Sequence, residues 1–309
     1  MCSRTGGQGL LVVLLVLLSA FTVAAQDRPA AGAVPPPAAA VPPSTSLWKV
    51  ETDSGVVYLM GSIHLLKESD FPLHPKMTEA FEEAGTLVLE ADIDSAQTPA
   101  FQQYVLAKGF YGPGKTLQAE LGDSVYSLLG AAVASVGLPL DQMNRLEPWM
   151  VALTFLSLKL RQLGFDPEFG VDFYFHRKAK AEGKPIEALE TPEYQISLLD
   201  SMPPSSQRAL VLQTLEQADD IEKALDAIVL QWKTGDLAGL DETINKSLED
   251  YPEIRELLIT RRNLNWLPKI EGYIGRRGTY LIITGVAHMS GENGIVTLLR
   301  KAGYRVEQM

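Results

Sequence analysis

Cysteine is almost absent from this chain of 309 residues, which has one, Cys2. It falls in a segment read below as removed, so disulfide frameworks and thiol catalysis are both excluded. Basic residues are outnumbered, with 27 Lys and Arg against 38 Asp and Glu and a formal net charge of −11. That balance argues against nucleic acid, whose phosphates demand a basic face. Three familiar site signatures are missing as well. There is no phosphate-cradling Gly-rich loop, no Gly-x-Ser-x-Gly elbow and no His-Glu-x-x-His helix.

An unbroken apolar run occurs at the start, from Leu10 to Leu18, with Arg4 ahead and Val23-Ala24-Ala25 behind. Residues 1–25 therefore read as a signal peptide. The run is short of the roughly 20 residues that span a bilayer, so cleavage is expected; a retained leader would anchor the chain to the membrane. Cys2 precedes the run instead of ending it, which excludes a lipoprotein. The expected address is the periplasm or the medium. Residues 26–46 hold six Pro and six Ala and read as a semi-extended linker. The folded domain is then residues 47–309, and apolar residues, 46% of the chain, suffice for its core.

Within that domain one unit occurs twice. Val57-Tyr-Leu-Met-Gly-Ser-Ile-His64 and Tyr280-Leu-Ile-Ile-Thr-Gly-Val-Ala-His288 are apolar runs of strand length that end in Gly-x-x-His. Each leads through a helix-like segment to Ala-Gly and another strand, at Thr86–Glu90 and after Gly303. The spacing predicts an α/β (α+β) fold: a mixed sheet built from two pseudo-repeats of strand, Gly-x-x-His, helix and strand, flanked by helices. The two copies form its halves, and a helical insertion lies between them. Asp53-Ser54-Gly55 makes residues 47–61 a hairpin. Helix to Ala84 and strand Thr86–Glu90 follow, with the strands on either side of that helix expected to pair in parallel. Helical patterning covers Phe101–Ala107, Leu117–Leu129, Glu147–Leu163 and Gly170–Glu182. Ile186–Glu190 reads as a strand, and Thr191 caps another helix. The region from Pro204 to about Ile274 is helical again, for about six strands and seven or eight helices in all.

Ligands bind beyond the carboxyl ends of parallel strands. His64, Glu90, Glu190 and His288 all close such strands, so neighbouring strands would bring the four to one rim. Gly61 and Gly285 are expected to let the backbone turn there and to leave room for a ligand. Asp92 and Asp94 read as loop residues, His74 as structural, and His176 as packed or facing solvent. Arg262 is the cation of interest, able to hold a carboxylate or an oxyanion through paired donors. Two histidines and a carboxylate suit a divalent metal with an open position for water. The same residues also suit metal-free acid–base chemistry, with imidazole taking a proton from water beside a carboxylate.

The paired Gly61-Ser-Ile-His64 and Gly285-Val-Ala-His288 resemble the two motifs of the TraB/GumN family, which is related to the Tiki metalloproteases. The likeness extends through Glu147-Pro148-Trp149, Val171-Asp172, Leu189-Glu190-Thr191 with Gln195, Trp232 with Gly235-Asp236, Arg262-Asn263, and His288 through Gly294. It implies a metal-dependent hydrolase acting on a peptide or small acyl substrate. His64, His288 and Glu90 would hold a divalent ion (Mn, Co or Zn), with Glu190 and Arg262 assisting. More distant relatives resemble erythromycin esterases, in which histidine and carboxylates activate water. The alternative is a non-catalytic periplasmic module that binds a peptide or small ligand.

Overall fold

The computed structural model describes residues 43–248 and 251–309. The expected signal peptide lies outside the described residues, as does the linker as far as residue 42. The end of that linker is part of the fold: Thr45 and Ser46 are buried, and the Ser46 hydroxyl donates to the Trp232 carbonyl at 2.9 Å.

Six strands form one mixed sheet: β1 (Leu47–Thr52), β2 (Gly55–Ser62), β3 (Thr86–Ala91), β4 (Ile186–Glu190), β5 (Gly278–Gly285) and β6 (Val306–Gln308). Their order is β4-β3-β5-β2-β1-β6. The first four of that order are mutually parallel, while β1 runs antiparallel to both β2 and β6. The hairpin of β1 and β2 is as the Asp53-Ser54-Gly55 turn predicts.

The repeat is present, but its copies interleave instead of forming separate halves. β5 of the second copy lies between β2 and β3 of the first, so those two are parallel without pairing. The closing strand of the second copy, β6, goes to the far edge against β1. Burial explains the central place of β5. Leu281, Ile282 and Ile283 are at most 1% exposed, so both faces of this strand are covered, as a continuous apolar run requires.

Alternation along the strands divides the core in two. Tyr58, Met60, Leu87, Leu89, Leu281 and Ile283 face the larger helical layer. That layer includes α1 (Pro75–Glu83), α2 (Pro99–Gly109), α3 (Asp123–Ser135), α4 (Pro148–Gln162), α5 (Val171–Glu182), α6 (Pro192–Asp200), α7 (Pro204–Gln217), α8 (Ile221–Thr234) and α9 (Leu237–Leu248). Val57, Leu59, Val88 and Ile282 face α10 (Arg261–Gly275) and α11 (Ile295–Lys301). The insertion is thus more finely divided than the apolar pattern predicts. Leu117–Leu129 breaks at Gly122, whose φ of 74° ends one helix and starts α3. Among the described residues, no helix is long and apolar enough to cross a membrane.

Candidate active site

Register places the expected residues. Ser62 pairs with Gly285 across β2 and β5, and Ala91 pairs with Glu190 across β3 and β4. The carboxyl ends of all four parallel strands therefore lie on one rim, where His64, Glu90, Glu190 and His288 meet. Gly61 contributes close packing, not a turn: a Cβ there would lie 2.8 Å from Cγ2 of Val286. Neither Gly61 nor Gly285 has positive φ, and Val286 fills the space expected for a ligand.

Helices on the two faces complete the rim. From the larger layer, Gly170 caps the start of α5, and a Cβ on Gly170 would collide with the His64 carbonyl oxygen. That close approach, with Val171 N–H donating to the Ile63 carbonyl at 3.1 Å, puts Asp172 beside His64. Its Oδ1 accepts from His64 Nδ1 at 2.9 Å. From the other face, a π-helical turn at Glu256–Thr260 leads into α10 and delivers Arg262 and Asn263. Trp266, one turn further on, packs with its ring 4.6 Å from the guanidinium and, tilted by 46°, 4.5 Å from the His288 ring.

Arg262 is the hub. Its Nη2 donates to Glu90 Oε2 at 2.5 Å and to Glu190 Oε1 at 2.7 Å, while Nε donates to Glu190 Oε1 at 2.9 Å. Nη1 donates to the Leu258 carbonyl at 3.2 Å and to His288 Nε2 at 3.1 Å. Trp266 Nε1 donates to the second Glu190 oxygen at 2.8 Å. Glu90 also receives Gly285 N–H at 2.6 Å and Gln195 Nε2 at 3.3 Å. All of this is removed from water: Arg262 and His288 are 0% exposed, His64 and Asp172 5%, and Glu90 6%.

The two histidines have different partners, and their surroundings shift them in opposite directions. Asn263 Nδ2 donates to the carbonyls of His288 and Asn293, so its Oδ1 faces His288 Nδ1 at 2.7 Å as an acceptor. His288 therefore carries its proton on Nδ1, and the Nε2 lone pair receives Arg262. Burial, then Arg262, then His64 hold His288 well below the ordinary imidazole value, so it is neutral. At His64 burial also opposes the charged form. The charge and hydrogen bond of Asp172, helped by Glu90 and opposed by Arg262, outweigh burial and raise it above 6.5. Its Nε2 is buried without a hydrogen-bond partner, 4.0 Å from Glu90 Oε1. A small cleft is lined by His64 and Glu90 together with Asp92, Ile93, Asp172 and Gln195.

The donors do not fit a resident divalent ion in this arrangement. Metal ligation by imidazole needs the nitrogen lone pair, and that of His288 Nε2 is engaged by Arg262. The guanidinium, charged at any working pH, lies between Glu90 and Glu190 and against His288 Nε2, where it repels a second cation. Among the described residues, no group of three or more His, Cys, Asp or Glu is disposed to hold a metal.

All five residues expected at the site are thus brought together. Asp172, Gln195, Asn263 and Trp266 join them, although sequence reasoning gave them no chemical role. Asp92 is not a plain loop residue: it caps a short helix, Ile93–Ala96, and borders the cleft. His74 caps α1, accepting from Lys76 N–H. His176 is buried and pairs with Asp94 at 3.3 Å, away from the two motif histidines.

Residues 46–308 match the TraB/PrgY/gumN family. The chain is also similar to the uncharacterized protein YbaP of Escherichia coli strain K12 and to that of Shigella flexneri. Each is 24% identical over 243 residues, which cover 79% of this chain and 87% of the relative. No solved structure matches. With the family match running from the residue before β1 to the end of β6, the chain belongs to the TraB/PrgY/gumN family.

Proposed function

We propose that this chain is a hydrolase of peptide or other acyl bonds that activates water between His64 and Glu90 without a resident metal ion. The observation that carries the reading is the buried, unpartnered Nε2 of His64, 4.0 Å from Glu90 Oε1. A water about 2.8 Å from both atoms would subtend an angle of about 90° at its oxygen, within hydrogen-bonding geometry. Asp172 fixes the imidazole with Nδ1 protonated, so Nε2 is the basic atom. In the reaction the water oxygen forms a bond to the acyl carbon and its proton passes to Nε2. The acyl bond to the leaving group then breaks, and His64 returns that proton to the departing amine or alkoxide. Arg262 acts through its charge, since Nε, Nη1 and Nη2 all donate within the protein. The expected leader, residues 1–25, would deliver the activity to the periplasm or the medium.

The test is hydrolysis of a peptide library and of activated esters by the full chain, with His64→Ala and Glu90→Gln alongside. Turnover lost in both variants and unaffected by chelators supports the reading. Turnover that survives both substitutions removes the site. Loss on chelation, with recovery on adding Mn, Co or Zn, would return the metal to His64, Glu90 and His288. The second reading is a non-catalytic binding module, favoured by the internal engagement of the Arg262 donors, none of which is left to hold an oxyanion directly. Ligand capture without turnover, unchanged by His64→Ala, would support it.

A further inference from the structure

The charged groups around the cleft point to a class of ligand. Besides His64, its ionisable lining is three carboxylates, Glu90, Asp92 and Asp172, with no Lys or Arg among them. Arg262 lies behind this wall and is already paired to Glu90 and Glu190. Lys180 is turned to Asp94 at 2.6 Å and does not border the cleft.

The three acids are not equally committed. Glu90 accepts from Gly285, Arg262 and Gln195. Asp92 is occupied by its own helix, accepting from the N–H groups of Asp94 and Ser95 and from the Ser95 hydroxyl. Asp172 is different: Oδ1 accepts from His64, but Oδ2 is buried with no hydrogen-bond partner. A buried carboxylate oxygen without a donor is costly unless a ligand supplies one. His64, the other lining residue with an unpartnered polar atom, carries it at Nε2. Ile93, Ala96 and Pro192, in the same lining, make part of the wall of this small cleft apolar.

We infer that the cleft selects acyl compounds carrying a free ammonium next to a small apolar group, with Asp172 Oδ2 accepting from the ammonium and Asp92 adding charge. Amino-acyl amides or esters meet that description; N-acylated and anionic analogues do not. Asp172 would then touch the ligand with one oxygen and orient the base with the other, so a correctly seated cation lies beside the atom that activates water. This assignment rests on the rim being the substrate site, as proposed above, and binding is measured apart from turnover so that the two can fail separately.

The experiment compares alaninamide, which carries the ammonium, with N-acetylalaninamide, which lacks it, by titration calorimetry or NMR on the full chain. Alaninamide is expected to bind at least about tenfold more tightly, because its charge meets Asp92 and the unpartnered oxygen of Asp172 in a poorly solvated cleft, Glu90 being already paired to Arg262. Asp92→Asn keeps a capping oxygen for the helix at Ile93 and removes one of those charges. It should cut the preference severalfold, with the circular dichroism spectrum unchanged. A preference for alaninamide in a chain that hydrolyses neither compound supports this assignment while the hydrolase reading falls. Equal affinity for the two compounds, tighter binding of the acetylated one, binding of neither, or a preference unmoved by Asp92→Asn overturns it.

Discussion

Replacing Arg262 by Met keeps an unbranched stem and deletes the guanidinium around which the rim is built. The substitution removes the hydrogen bonds to Glu90 at 2.5 Å, to Glu190 at 2.7 and 2.9 Å, to His288 at 3.1 Å and to the Leu258 carbonyl at 3.2 Å. The carboxylates left behind have side chains only 6% and 5% exposed, so water cannot replace the missing cation without opening the site. Breaking a buried pair in this way costs about 3–5 kcal/mol, because an uncompensated charge remains. In a domain of this size that lowers the melting temperature by on the order of 10 °C. Urea unfolding followed by far-UV circular dichroism reads the effect as a lower midpoint at unchanged slope. Adding Glu190→Gln to Arg262→Met should recover part of the loss, with a coupling above about 1 kcal/mol, since one buried charge is removed with its former partner. A loss below about 1 kcal/mol for Arg262→Met alone is the size of an exposed ion pair. That result would refute the description of a water-excluded network.

NMR titration should find His64 protonating above 6.5 and His288 staying neutral well below it; Asp172→Asn, by removing the groups that overcome burial, should bring His64 below 6.5. The signs for stability are opposite: the contribution of His64 is full below its unfolded value and fades as pH rises through the raised folded one, whereas that of His288 is present above 6.5 and lost as pH falls. Gly170→Ala drives a Cβ into the His64 carbonyl, so it should cost about 1–3 kcal/mol in urea unfolding and abolish turnover; a neutral result would contradict the close approach. Trp266→Phe keeps a ring against His288 but deletes the donor to Glu190 Oε2, and should cost about 1–3 kcal/mol by the same measurement.

The strand ends were legible because strand periodicity and the repeated Gly-x-x-His are local signals. So was the shared rim, since parallel strands closed by His, Glu, Glu and His must carry them to one side. Pairing was not local. Nothing between residues 57 and 90 shows that β5, far along the chain, will lie between β2 and β3. Asp172 was visible as an acid in the first turn of a helix, but acids are ordinary there because they complement the helix dipole. What makes it special is the contact of Gly170 with the His64 carbonyl, a tertiary fact. Asn263 stood next to Arg262 in the sequence, yet its role of fixing the His288 tautomer depends on the loop at Asn293. Thr45 and Ser46 followed a Pro-rich stretch, and small polar residues give no sign of burial when what holds them, as the Trp232 carbonyl holds Ser46, lies far along the chain.

The duplicated motif supplies two imidazoles at equivalent strand ends, and the layers on either face give them different work. The larger layer brings Asp172, an anion, to His64; the other brings Arg262 and Asn263 to His288. If His288 serves as a neutral acceptor for Arg262, then Gln at that position keeps an acceptor oxygen. Turnover in His288→Gln should fall by less than about tenfold, in line with the loss of one neutral packing and hydrogen-bonding group. His64→Gln removes the proton carrier itself and should fall by about 10²–10⁴. A pair of metal ligands predicts something else, because each imidazole would then contribute one bond to the same ion and both variants would lose it. Comparing kcat/KM for the two substitutions on one acyl substrate therefore tests the asymmetry directly. Equal and large losses would mean that the arrangement of Arg262 against His288 is not the one in which the chemistry occurs.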